Sequence, residues 1–132
     1  MREPKLFVAD THALVWFFTE DSRLGAVSRD VIRKASPGNK IIVPVIVLAE
    51  LLHLSRRCRV PLSFSETIEH LESHKGFEIA PLTDSIIKIA AQLPDLLEMH
   101  DALIVATSLH YNAHLITKDK IIIQTASVKT LW

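Results

Sequence analysis

Lys5–Phe18 reads KLFVADTHALVWFF, and its two halves favour different backbones. Lys5–Ala9 is a short apolar run, the pattern of a strand buried on both faces. Asp10 ends it, and Thr11–Phe18 continues as a helix that Asp10 can cap. The same alternation returns downstream. Lys40–Val43, β-branched and closed by Pro44, leads into a helix over Val45–Arg57. Phe77–Ala80 follows Gly76 and leads into a helix over Thr83–Leu93, which Pro94 ends. A helix over Ala102–Tyr111, with Asp101 at its start, precedes a strand over His114–Thr117. Further helices are expected over Leu24–Ala35 and, with Ser65 as N-cap, over Ser65–His74; a fifth strand is expected over Val128–Leu131. Short apolar strands alternating with helices predict an α/β fold with a parallel sheet covered on both faces. Ligands of such sheets bind beyond the carboxyl ends of the strands, so acids that follow strands are the first candidates for chemistry.

Composition narrows the classes. A chain of 132 residues fits one domain, 1–132, and 48% hydrophobic residues with mean hydropathy +0.25 predict a well-filled core. Fifteen basic residues balance fifteen acidic ones, so bulk charge cannot grip nucleic acid, and a local patch or metal ions would be needed. Neutrality with a high apolar fraction also suggests an associating surface. A single cysteine excludes an internal disulfide and makes a reducing cytoplasm the expected setting. The apolar run Ile41–Leu54 is broken by Pro44, Glu50 and His53, too short and interrupted to span a bilayer. Asp10 interrupts the first apolar stretch and no small-residue cleavage site follows, so no signal peptide is expected. Three scattered glycines exclude a phosphate-cradling loop, and no nucleophile elbow is present.

Four carboxylates could share one site. Asp10 and Asp119 fall at strand ends, while Glu50 and Asp101 fall in helices of the same layered fold. Each has a plainer reading. Asp10 and Asp101 suit N-caps, Asp119 an ordinary turn, and Glu50 the edge of a mostly apolar helix, where an unpaired charge is costly. Brought together, they would repel and raise one another's pKa. A hard divalent cation resolves that repulsion, and oxygen ligands suit Mg²⁺ or Mn²⁺. An acidic site without Cys or His ligands points towards phosphodiester chemistry.

The segments DTHALVWFF, VIVLAELLHL and HDALIVATSLHYNAHLITKDK, in that order, resemble PIN-domain ribonucleases, and especially the VapC-like toxins of bacterial type II toxin–antitoxin systems. The resemblance runs from about Leu6 to the C-terminus. It implies a three-layer α/β/α sandwich with a central parallel sheet, and Mg²⁺- or Mn²⁺-dependent endonucleolytic cleavage of RNA. It aligns Asp10, Glu50, Asp101 and Asp119 with the family's catalytic, metal-binding acids, and Thr117 with a hydroxyl that supports them. It also implies a VapB-like antitoxin as partner, a homodimer, and a groove for the antitoxin near Trp16-Phe17-Phe18 and the helices that follow. At Met99-His100 the chain departs from relatives with this first motif, which often carry Asp-Pro there; the aligned acids are untouched. A competing reading is a PIN-like domain without catalysis that serves as a scaffold, and the retained acids count against it.

Other candidates have plainer explanations. Glu66, His70 and His74 recur at four-residue spacing and could offer zinc ligands, but a solvated helix face accounts for them. His53, one turn from Glu50, could tune that carboxylate but better suits a buried or partly buried structural histidine, and His12 could face a substrate. Arg56, Arg57 and Arg59 complement a helix C-terminus or touch RNA phosphate. Lys118 and Lys120 flank Asp119 and could offset the acids or hold a phosphate. Cys58 lacks the partners of a nucleophile. A phosphoacceptor receiver needs paired acids after the first strand, and a haloacid-dehalogenase-type phosphatase needs an Asp where His12 stands.

Overall fold

The computed structural model describes residues 3–125 and 127–132. The first strand, β1 (Lys5–Ala9), is buried from Phe7 onward and lies at the centre of a five-stranded sheet. On one side it pairs with β2 (Asn39–Pro44), which pairs with β3 (Phe77–Ala80); on the other it pairs with β4 (His114–Ile116), which pairs with β5 (Thr130–Leu131). All four pairings are parallel, with Phe7 opposite Ile41 and Val8 opposite Leu115. The order is β3-β2-β1-β4-β5. The chain thus builds outward from β1 in one direction, then returns to start β4 on its other side. The gap between the carboxyl ends of β1 and β4 is therefore the topological switch point, where open parallel sheets leave a crevice.

Helices cover the sheet: α1 (Thr11–Phe18), α2 (Ala26–Arg33), α3 (Val45–Arg56), α4 (Phe64–Ser73), α5 (Asp84–Ala90), α6 (Met99–His110) and α7 (Lys120–Thr125). This is the flanked parallel sheet that the sequence predicts. Val8, Ala9, Ile41, Ile42, Val43, Leu115 and Ile116 are fully enclosed, so consecutive strand residues are buried irrespective of which face they point to. α3 lays Val47, Leu48 and Leu51 against this core, and α6 contributes Leu103 through Ser108 without a break.

Several boundaries differ from expectation for local reasons. α2 starts at Ala26 because Gly25 is extended as its N-cap, and Leu24 is spent in the core. α4 starts at Phe64 because Ser63, not Ser65, accepts the Glu66 N–H; Ser63 and Glu66 have capping-box spacing. α6 starts three residues before Ala102, since Glu98 accepts the His100 N–H, and Asp101 stands in the first turn rather than at the cap. Thr117 lies just beyond β4, and β5 is confined to Thr130–Leu131. α7 falls where the sequence reading assigns no element; β-branched Ile121-Ile122-Ile123 favours a strand, but Asp119 Oδ1 accepts the Ile122 N–H and supports a helical turn. Gly76 is required sterically, because a Cβ there would strike the backbone of Ala35 and Ser36. No helix among the described residues is long and apolar enough to cross a membrane.

Candidate active site

Asp10, the first residue beyond β1, is placed twice over. Its Oδ1 accepts the Ala13 N–H at 2.8 Å, capping α1, and its backbone N–H donates to the Ile116 carbonyl at 3.2 Å, tying it to the end of β4. The capping role and the site position are thus compatible. Thr117, 1% exposed beneath the site, sets its hydroxyl against the Asp10 carboxylate, where it works to lower that group's pKa, and its Oγ1 accepts the Asp119 N–H at 3.1 Å. One hydroxyl therefore links the acids at the ends of β1 and β4. Asp119 is likewise held by its cap to α7.

Glu50 is carried in on α3, where Thr11 Oγ1 donates to its Oε1 at 3.0 Å. A half-buried carboxylate is thereby given a fixed partner. Asp101 arrives on the first turn of α6. Four different segments so converge: Asp10, Glu50, Asp101 and Asp119 line one cavity of about 370 Å³, with Thr11, His12, Trp16, Lys118 and Trp132 completing its wall.

The electrostatic consequence is visible in two of the acids. Burial raises the pKa of Asp10 above its ordinary value, against the hydrogen bonds from Thr117 and Ala13. Burial also raises Asp101, with the charges of Asp119, Glu98, Glu50 and Asp10 adding to it, to about 6. Glu98 was not among the sequence candidates. It stands beside the Met99-His100 departure, and its carboxylate pairs with His100 Nδ1 at 3.1 Å. An acid near Asp101 is thus present although the relatives' Asp-Pro is not.

All four acids are hard oxygen donors, and Lys118 is the only Lys or Arg lining the cavity among the described residues. That excess of negative charge in a partly desolvated site fits a hard divalent cation. The acids line the cavity without closing to a point: among the described residues no three acid, imidazole or thiol groups stand close enough to ligate one ion as placed. The chemistry of the donor set fits such an ion.

The remaining candidates lie elsewhere. Glu66, His70 and His74 line a separate groove of about 880 Å³ together with Phe17, Phe18, Arg29, Arg33 and Phe77. His74 Nδ1 accepts the Gly76 N–H at 3.0 Å, and both imidazoles pack against Phe77, so this is an aromatic cluster and not a closed ligand set. His53 is exposed, contrary to the expected buried or partly buried histidine. Arg56, Arg57, Cys58 and Arg59 are exposed and line neither cavity, as is Lys120. Sequence reading passed over Thr11 and Trp132 at the site; nothing local marks a partnership between Thr11 and a residue 39 positions away.

A model of the PIN domain family matches residues 7–128. Among solved structures, VapBC2 from Rickettsia felis, bound to a DNA fragment from its promoter, is similar at TM-score 0.75 and 17% identity, over 96% of this chain and 98% of that one. A toxin–antitoxin complex from Klebsiella pneumoniae is similar at TM-score 0.67 and 21% identity, over 94% of each chain. VapC20 from Mycobacterium tuberculosis, a toxin that cleaves the sarcin–ricin loop, is similar at TM-score 0.63 and 16% identity, over 93% of this chain and 98% of that one. None of the curated protein sequences matches the chain significantly. Matched from the first strand nearly to the last, and folded as these structures are, the chain belongs to the PIN domain family.

Proposed function

We propose that this chain is a metal-dependent endoribonuclease, hydrolysing RNA phosphodiester bonds as the toxin of a type II toxin–antitoxin pair. The observation that carries the reading is the convergence of four carboxylates from four segments on one cavity at the switch point of the sheet. Asp10 and Asp101 would be the principal ligands of Mg²⁺ or Mn²⁺, with Glu50 binding directly or through water and Asp119 completing the set. Such an ion, when bound, activates water and offsets charge that develops on the phosphate and leaving oxygen. The chain's own residues hold the geometry. Thr11 holds Glu50, which would orient the attacking water; Thr117, beside Asp10 and bonded to the Asp119 N–H, would keep those two acids in register.

The partner reading rests on the similar structures, which include a toxin–antitoxin complex, and on the open groove floored by Phe17, Phe18 and Phe77. A groove of that kind suits an amphipathic helix of a VapB-like antitoxin. We further read the working form as a homodimer of one-domain chains in the cytoplasm; the single cysteine suits that reducing setting.

The test is cleavage of a mixed structured RNA pool by the purified, partner-free protein with Mg²⁺, with Mn²⁺ and with EDTA, beside Asp101→Asn prepared identically. Metal-dependent cuts absent from the variant support the assignment, and equal cutting by both reveals a contaminant. No cutting by the wild type, together with no binding of Mn²⁺ by calorimetry, overturns the reading. For the toxin role, expression of the chain alone should arrest bacterial growth, and expression of Asp101→Asn should not.

A further inference from the structure

Lys118 lines the same cavity as Asp10, Glu50, Asp101 and Asp119, yet it forms none of the ion pairs found among the described residues. Its Nζ lies instead over two indoles, 4.6 Å from the centre of the Trp16 ring and 5.8 Å from that of Trp132. The two rings meet edge to face at 5.7 Å.

This cradle is built into the fold. Trp16 is buried in α1. Trp132 is pinned over Gly25, where a Cβ would strike its backbone oxygen, and that oxygen accepts the Ser28 N–H at 3.1 Å. Arg23 also lies over Trp16, at 4.7 Å, but its guanidinium is engaged by Asp21 through Nε at 3.0 Å and Nη2 at 2.8 Å. Lys118 is the cation left uncommitted beside the acids. Lys118 and Lys120, the two lysines flanking Asp119, are both exposed, but Lys120 lines neither the acidic cavity nor the aromatic groove.

An ammonium over ring faces retains its charge and most of its three donors. Four nearby carboxylates repel a polyanionic strand, and a chain of zero formal net charge offers no bulk attraction to offset this. We propose that Lys118, steered away from the acids by Trp16 and Trp132, is a phosphate-binding residue that takes a non-bridging oxygen of the RNA backbone. The inference rests on the nuclease reading and adds to it the residue that receives the strand.

The test uses fluorescein-labelled oligouridylate and the full chain carrying Asp101→Asn to prevent cleavage, with binding followed by anisotropy across a KCl series. Adding Lys118→Gln should weaken binding several-fold and reduce the slope of log affinity against log salt by about 0.7, the value for one contact on a single strand. Lys118→Arg should restore both, since a guanidinium also stacks on indole and holds phosphate. In the otherwise wild-type enzyme, Lys118→Gln should raise KM for RNA more than it lowers kcat. An unchanged slope and KM in Lys118→Gln overturns the assignment, as does an Asp101→Asn chain that binds no oligouridylate at any salt. Failure of the nuclease reading is distinguished by the wild-type chain: it would then show no metal-dependent cleavage of the RNA pool at all.

Discussion

Thr11 Oγ1 donates to Glu50 Oε1 across 3.0 Å, joining the first turn of α1 to the middle of α3. Thr11 is 4% exposed, so the bond is sheltered on its donor side. Thr11→Val keeps the shape and removes the donor. Stability should fall by about 1 kcal/mol, the usual net value of one such bond. Metal-dependent cleavage should fall more steeply, by roughly ten- to a hundredfold, because a carboxylate released from its partner loses its reactive orientation. Thr11→Ser should retain most activity. Cleavage rates beside thermal melts of the three chains check this, and a Thr11→Val chain as active as wild type would detach the bond from function.

Much of this arrangement was legible because strand and helix patterns are local. KLFVA, followed at once by Asp10, marks a strand and the acid at its end, and the α/β class with its parallel sheet follows from repeating that unit; the PIN fold itself is legible only through the resemblance of the acid-bearing segments. What escaped depended on pairs distant in sequence or on competing local signals. Thr11 meets Glu50 through the packing of α1 on α3, and Trp132 meets Trp16 only once β5 is in place. Ile121-Ile122-Ile123 has strand propensity, and the cap from Asp119 overrides it. Asp101 looked like a cap because the residues before it, Met99-His100, gave no apolar period; Glu98 captured the helix start instead.

Asp10 serves as both helix cap and proposed ligand, and the two roles separate by substitution. Asparagine caps a helix as well as aspartate does, so Asp10→Asn should fold with undiminished stability. Its cleavage should nonetheless drop by at least about a hundredfold through loss of the ligand charge. Asp10→Ala should lose the same activity and, in addition, about 1 kcal/mol of stability with the α1 cap. Denaturant melts and cleavage assays on both variants check the contrast, and full activity in Asp10→Asn would remove Asp10 from the ligand set.

Gly25 has φ of −62°, a conformation open to any residue, so Gly25→Ala is a purely steric perturbation. The added methyl would collide with the Trp132 backbone oxygen and approach its indole Cδ1 to 2.6 Å. Displacing Trp132 unseats the backbone oxygen that accepts the Ser28 N–H at the start of α2 and opens the wall of the acidic cavity. Gly25→Ala should therefore cost about 1–3 kcal/mol, with a shift in tryptophan emission as the Trp16–Trp132 contact loosens. Unchanged emission and melting would show that the Trp132 segment yields freely.

Asp101 supplies a pH signature of the metal-free site. Burial and the neighbouring acids raise it from 3.8 to about 6, so the folded chain holds this proton more tightly than the unfolded chain does. Stability from this group is therefore greatest below about pH 4, declines as pH rises towards 6, and is flat above. Asp10, raised by burial, acts in the same direction. Asp21, held at about 2 by its hydrogen bonds to Arg23, has the opposite sign, but its window lies below 3.8 and leaves the range above untouched. Without divalent metal, Tm should thus be higher near about pH 5 than near about pH 7.5. Asp101→Asn should raise the Tm at the higher pH and flatten the dependence. Mn²⁺ should do the reverse of acid: it needs the ionised carboxylates, so its stabilisation should grow with pH and vanish in the variant. Thermal melts of both chains at the two pH values, with Mn²⁺ and with EDTA, give all four comparisons. A Tm for the wild type that ignores both pH and Mn²⁺ would mean that the carboxylates neither couple nor bind, and the site would have to be sought elsewhere.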